Sequence, residues 1–478
     1  MNKINFLAII FLITKIISPI SVKAETLTLS QLINNKLIAE VGERVSKKAL
    51  LRKCQKEFCK RYNLSLENST TEVPLPRDAV AEQEKIWKKG YENYLGAIFS
   101  NQLMTSNTIK NKLQEIENDT GKKSAVIYLI PTNKQLEILL VTAKNNPINK
   151  SISVANKNTL FKVTKQFQAE LSNPREVNTT SYLASAQQLY QWLIAPIEKD
   201  LKAQNIDTLV FCVGTGLRSV PLSALHDGQK FLIENYNISL IPAFSLIDTR
   251  YTDIRKSSVL AMGASQFKDF DPLPAVPIEL STIVENQGGE RFLNDKFTLN
   301  NLRSQRKRQP YKIVHLATHG VFQPGTASNS YIQFWNNKLY LNQLRQLQLN
   351  VPTVDLLVLS ACRTALGDRQ AELGFSGLAL QAGVKSAMGS LWSVNDAGTL
   401  ALMTEFYMHL KTAPIKAEAL RQAQIRMLKG QVQFKQGQLR SSGLRTEMPL
   451  PPELSELGDL NLSHPYYWAA FTMIGSPW

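Results

Sequence analysis

The sequence predicts an α/β fold, a mainly parallel sheet with flanking helices on both faces, preceded by a helical N-terminal region. Two observations carry this. Short apolar runs at residues 209–213, 238–241, 259–262, 313–317, 356–359 and 384–391 alternate with helical stretches such as 277–286 and 373–382, the pattern of strands laid side by side through helical crossovers. Upstream of about residue 118, apolar residues recur instead at helical spacing.

The helical region holds two stripes. Leu29, Leu32, Ile33, Leu37 and Val41 form the first, and Pro74 and Pro76 break the run. Trp87, Tyr91, Tyr94, Leu95 and Phe99 form the second, which reads as core packing rather than a cofactor site. No 34-residue self-similarity of the kind seen in helical repeat arrays is present. The character changes near Gly121. Residues 124–130 and 136–141 read as strands of a hairpin around the turn-like 131–135. A long helical pattern covers 158–204, broken at Asn173-Pro174, and the final apolar segment 468–474 (WAAFTMI) reads as one more strand of the sheet.

A length of 478 residues exceeds what one core usually fills, so two or three domains are expected. With 44% hydrophobic and 20% charged residues, the composition excludes wholesale disorder. The net charge of +16 favours anionic partners. It reads more simply as a solvated basic surface, because no zinc-finger spacing or aromatic RNA-binding signature accompanies it, and no specific nucleic acid is expected. The basic run 303–308 (RSQRKR) reads as an exposed loop or helix face.

Residues 1–24 have the three parts of a secretory signal: Lys3, an apolar run at 6–14 (FLAIIFLIT), and small residues around Val22-Lys23-Ala24. The run is too short to span a bilayer. The expectation is cleavage after Ala24 and an exported protein, periplasmic or extracellular, without a transmembrane anchor. Of four cysteines, Cys54 and Cys59 fall in a helical stretch, where five residues rise about 7.5 Å; they pair only if that helix breaks. Cys212 sits in an apolar run, the setting of a buried thiol.

The chemistry-bearing residues follow two apolar runs. Residues 313–317 lead into Thr318-His319-Gly320, and residues 356–359 lead into Ser360-Ala361-Cys362-Arg363-Thr364. Sites in open α/β sheets lie beyond the carboxyl ends of strands. If these strands are neighbours, His319 and Cys362 meet there, and an imidazole that takes a thiol proton makes a nucleophile. An approach within about 3–6 Å is then expected. Gly320 permits close backbone approach and offers an N–H to an oxyanion. His315, four residues before His319, would lie about 13 Å from it along a strand, so it reads as a satisfied core histidine. No metal site is expected. Gly374-Phe375-Ser376-Gly377 lacks the G-x-S-x-G spacing of a serine nucleophile.

The ordered set 313–320 (IVHLATHG), 357–367 (LVLSACRTALG), 383–396 (GVKSAMGSLWSVND) and 468–478 (WAAFTMIGSPW) resembles the CHAT family of bacterial caspase-like cysteine peptidases, related to caspases, gingipains and separase. Segments 217–225 and 231–242 also fit it, and the resemblance runs from about residue 121 to 478. It implies that His319 is the general base and Cys362 the nucleophile, with no metal or organic cofactor. It also points to Asp396 in the pocket for the residue before the cleaved bond, where a partly desolvated carboxylate would favour Arg or Lys. Asp396 is equally placed to cap a helix starting at Ala397. The tandem helical repeats of many family members are not seen. The domains implied are a signal peptide (1–24), a helical region (25–120) able to dock a protein partner, and a caspase-like domain (121–478). Within that domain, residues 121–264 are expected as a non-catalytic sheet packed on the catalytic half, 265–478. The function expected is a cysteine endopeptidase acting on protein or peptide substrates, the alternative a catalytically silent scaffold of the same fold. If residues 303–308 form an exposed loop, they are a candidate site of self-cleavage.

Overall fold

A computed structural model of the chain describes residues 78–99, 104–364, 369–441 and 448–478, with the backbone alone at 361–364 and 369. These residues belong to the unit Pro76–Trp478. The expected signal peptide, the first helical stripe, Cys54 and Cys59 lie outside the described residues.

The second helical stripe forms α1 (Ala79–Leu95) from Trp87 to Leu95, with Phe99 beyond its Gly96 cap, and α2 (Ser106–Thr120) follows. Asp78 starts α1 by accepting N–H bonds from Val80 and Ala81, and it also accepts from the Ser106 amide at the head of α2. Gly96 ends α1 and Gly121 ends α2, both at positive φ, which glycine adopts without strain.

The strands are β1 (Ser124–Pro131), β2 (Leu136–Thr142), β3 (Ile148–Ile152), β4 (Thr208–Val213), β5 (Asn237–Ile241), β6 (Val259–Gly263), β7 (Gly289–Leu293), β8 (Ile313–Phe322), β9 (Tyr331–Gln333), β10 (Lys338–Tyr340), β11 (Leu356–Thr364), β12 (Ser386–Ser390), β13 (Val432–Lys435), β14 (Gln438–Ser441), β15 (Met448–Pro449), β16 (Leu460–Asn461) and β17 (Phe471–Gly475). Thirteen of them form one sheet, ordered β10-β9-β8-β11-β12-β17-β5-β4-β1-β2-β3, with β6 and β7 joined at β8; β13 to β16 form a separate small sheet. The expected hairpin is β1–β2, paired antiparallel. Residues 121–264 therefore do not form a sheet packed on the catalytic half. Their strands continue the same sheet edge to edge.

The junction is β17, which pairs antiparallel with β12 and parallel with β5. The parallel set β6, β8, β11, β12 thus runs opposite to the parallel set β1, β4, β5.

Helices cover both faces. Along β1, Ala125, Ile127 and Leu129 enter the cluster packed with α3 (Lys157–Ser172), α4 (Tyr182–Leu193) and α5 (Ala195–Ala203). Val126 and Tyr128 enter the other cluster, beneath α1 and α2. Alternate side chains point to opposite faces, so a strand covered on both sides is apolar at every position. Cys212 is a buried free thiol in this second layer, as its apolar run implied.

Over the other half lie α6 (Val276–Gln287), α7 (Leu299–Arg308), α8 (Arg369–Ser376), α9 (Leu378–Ala382), α10 (Asp396–Leu410) and α11 (Lys416–Leu428). The basic run 303–308 is the second half of α7, not a loop. Arg306 is buried there, donating to the carbonyls of Gln348 and Pro352, and Arg308 pairs with Glu290. An intact helix with an anchored arginine does not present an extended backbone for cleavage, which removes the self-cleavage expectation.

Candidate active site

β8 and β11 are parallel neighbours, and both run further than their apolar cores suggest. β8 ends at Phe322 rather than Ala317, and β11 at Thr364 rather than Leu359. His319, Gly320 and Cys362 are consequently inside the last third of the strands, not beyond their ends. The extension comes from pairing: Gly320 and Val321 gain a partner in β9, and the β8–β11 ladder resumes after an irregularity.

That irregularity falls at the motif. Leu316 is opposite Leu359, whereas His319 is opposite Ala361, so β8 holds one extra residue between them. A bulge of this kind bends the strand and re-aims the side chains that follow. On the other edge of β8, pairing with β6 stops at Ala317 and pairing with β9 starts at Gly320. Thr318 and His319 occupy the gap. Thr318 is held there by its hydroxyl, which donates to the Gln333 carbonyl.

The register places Cys362 opposite Gly320, one position beyond Ala361, the residue opposite His319. With strands about 4.8 Å apart and a rise of about 3.3 Å per residue, the Cα atoms of His319 and Cys362 are diagonal neighbours at about 6 Å, in successive register positions whose side chains leave opposite faces of a regular ladder. The Cys362 side chain, and with it the expected contact to the imidazole, lies outside the described residues. Gly320 is buried in the ladder between Cys362 and Ile332.

His319 is half-buried. Its Nε2 lies 2.9 Å from the carbonyl oxygen of Asp271. A carbonyl only accepts, so Nε2 carries the proton and the neutral ring keeps Nδ1 as its base. Phe270 stacks on the imidazole at 4.8 Å, and Phe267 meets it edge-on at 4.7 Å. Burial pulls the His319 pKa below the usual histidine range; the Asp271 carbonyl and the negative charge of Asp271 act the other way.

Asp396 is not the N-cap of its helix. Asn395 is, with its side chain accepting from the Gly398 amide, and Asp396 is the first helical residue. Its carboxylate accepts instead from the amide of Ala275, the residue that opens α6. Burial pushes its pKa up to about 7, with the charge of Glu279 adding to the shift and the Ala275 hydrogen bond opposing it. Asp396 and His319 are tied to one segment, through Ala275 and Asp271 respectively.

His315 is fully buried, its Nε2 2.9 Å from Glu279 Oε1 and its Nδ1 3.1 Å from the Tyr407 hydroxyl. It is a satisfied core histidine, joining β8 to α6 and α10. Ser376 is buried too, bonded to Tyr91 and to the Glu372 carbonyl.

Sequence reasoning missed Asp271, Phe267, Phe270 and Ala275. The available signal was position: the loop 264–275 follows the carboxyl end of β6, a neighbour of β8, where functional loops gather.

A continuous α/β sheet with its histidine and cysteine motifs on adjacent parallel strands defines a caspase-like protein. The family model of the CHAT domain matches residues 183–476, well over half of the sequence. The chain belongs to the CHAT family. Among solved structures, two crystal structures of the Saccharomyces cerevisiae separase–securin complex align with TM-scores of 0.42 and 0.47, each at 9% identity. They cover 77% and 83% of this chain and 31% and 33% of the matched chain, so this chain spans about a third of that length. A complex of Porphyromonas gingivalis RgpB pro- and mature domains aligns with a TM-score of 0.36 at 9% identity, over 67% of this chain and 77% of that one. No curated protein sequence matches the chain.

Proposed function

We propose that this protein is a cysteine endopeptidase in which His319 is the general base and Cys362 the nucleophile. The observation that carries the reading is that β8 and β11 are parallel neighbours, which brings the His319 and Cys362 motifs side by side in the chain fold. The Asp271 carbonyl supports it by holding the Nε2–H tautomer, leaving Nδ1 to take a proton. In this scheme Nδ1 accepts the Cys362 thiol proton and the thiolate attacks the peptide carbonyl carbon. The Gly320 N–H donates to the oxyanion. The imidazolium then gives its proton to the leaving amine, and water hydrolyses the thioester. No step needs a metal or organic cofactor.

Asp396 is proposed to select Arg or Lys before the cleaved bond. Its carboxylate is partly desolvated, and the segment that binds it also binds His319. A charged pair in such a site favours a basic side chain over a neutral one. Export after removal of residues 1–24 completes the reading, with proteins or peptides outside the cytoplasm as substrates.

Labelling by an electrophilic peptide probe ending in Arg tests the dyad. Wild-type protein should label covalently, and Cys362→Ala and His319→Ala should not. Equal labelling of wild type and Cys362→Ala would refute a thiol mechanism; no labelling of any form points to the silent scaffold.

A further inference from the structure

The segment that orients His319 is a closed loop. It leaves β6 at Gly263, where an added Cβ would meet the Ala317 carbonyl oxygen at 2.5 Å and Val276 at 2.9 Å, so only glycine lets it depart this close to β8. The neck is closed by the Leu273 amide donating to the Ser265 carbonyl at 2.9 Å. The Ser265 amide in turn donates to Asn294 Oδ1, at 2.9 Å. Loops of this size with joined ends pack on their own side chains and hold their shape.

From that neck the loop reaches His319 with three contacts. The Asp271 carbonyl accepts from Nε2–H, Phe267 touches an edge, and the Phe270 ring lies 17° from parallel to the imidazole. Phe270 is itself braced by Tyr331 of β9, at 6.5 Å between centroids. The proposed catalytic scheme uses the Asp271 contact alone. A single hydrogen bond fixes one point of the ring and leaves it free to rotate about that point. A stacked aromatic face fixes its plane.

Resting on the dyad reading, we propose that Phe270 is a positioning residue for the base, holding the plane of the His319 ring and stabilising its protonated form during turnover. The second effect follows from the negative π-face of phenylalanine, which attracts an imidazolium more than a neutral imidazole. Phe270 also excludes water, which acts in the opposite sense. Leucine separates the two, since it keeps apolar cover and lacks the π-face, whereas tyrosine keeps both. Titratable and charged groups on the elements packed around His319 are Lys268, Asp269 and Asp271 of the loop, Tyr331 of β9, and Cys362 and Arg363 of β11.

The test is a pH titration of the full-length protein with 13C-labelled histidine. The His319 resonance is assigned among the five histidines by its loss in His319→Gln. Phe270→Leu should lower the His319 pKa by about half a unit, and Phe270→Tyr should restore it. In the same variants, Phe270→Leu should reduce kcat several-fold with KM little changed. An unshifted titration in Phe270→Leu overturns the proposal, as does a fall in kcat that Phe270→Tyr fails to rescue. Alkylation of Cys362 by iodoacetamide is followed in parallel. A rate unaffected by His319→Gln defeats the dyad reading instead, and the titration still reports whether Phe270 acts on the ring.

Discussion

At Asp396 a carboxylate occupies the first turn of α10, with the amide of Ala275 on one side and the charge of Glu279 nearby. With its pKa near 7, it is about half ionised at neutral pH. The sign of the consequence is fixed: an acid with a raised pKa is neutral below that value and charged above it. Preference for Arg or Lys over norleucine should therefore grow as pH rises from 6 to 8. Asp396→Asn should abolish the pH dependence and lower the preference at least tenfold, as kcat/KM ratios on matched peptides would show. An unchanged basic preference in Asp396→Asn removes it as the specificity residue. Its place in the motif was legible in the sequence. Its partner was not, because the Ala275 amide comes from a helix 121 residues away in the chain.

Among the elements, α1 links parts of the chain far apart in sequence. Glu84 is buried on it and accepts from the amides of Phe244 and Ser245 and from the Tyr128 hydroxyl, while Trp87 stacks on Tyr128. Tyr91, two turns later, bonds to Ser376 on α8, the helix after the Cys362 strand. The helix thus ties β1, in one half of the sheet, to α8, which lies over the other half. Glu84→Ala leaves two amides and a phenol without their acceptor, at a cost of roughly 2–4 kcal/mol. Urea titration should show a clearly lower midpoint, with Glu84→Gln falling in between. The stripe through Trp87 and Tyr91 announced a packed helix, but a buried carboxylate is invisible to periodicity. A second consequence concerns α7. Prolonged incubation of concentrated protein should yield no cleavage within residues 303–308, by mass spectrometry, because Arg306 is anchored in a helix.

For the molecule as a whole, the apolar run at 6–14 and the small residues at 22–24 predict that protein recovered outside the cytoplasm begins at Glu25. N-terminal sequencing checks this, and an intact Met1 in the recovered protein would count against export. The α/β class, most strands of the large sheet, the buried roles of Cys212 and His315, and the motifs around His319 and Cys362 were all readable from sequence alone. Each depends on local composition or on periodicity, which neighbouring residues set among themselves. Tertiary structure decided the rest. It extended β8 and β11 past their apolar cores, put the bulge beside His319, and made 121–264 part of one sheet through β17. It also brought the loop 265–273 onto the imidazole and turned Asp396 from its own helix cap to the amide of another. These outcomes rest on pairings between residues tens to hundreds of positions apart, and such a pairing leaves no mark in the spacing of either partner.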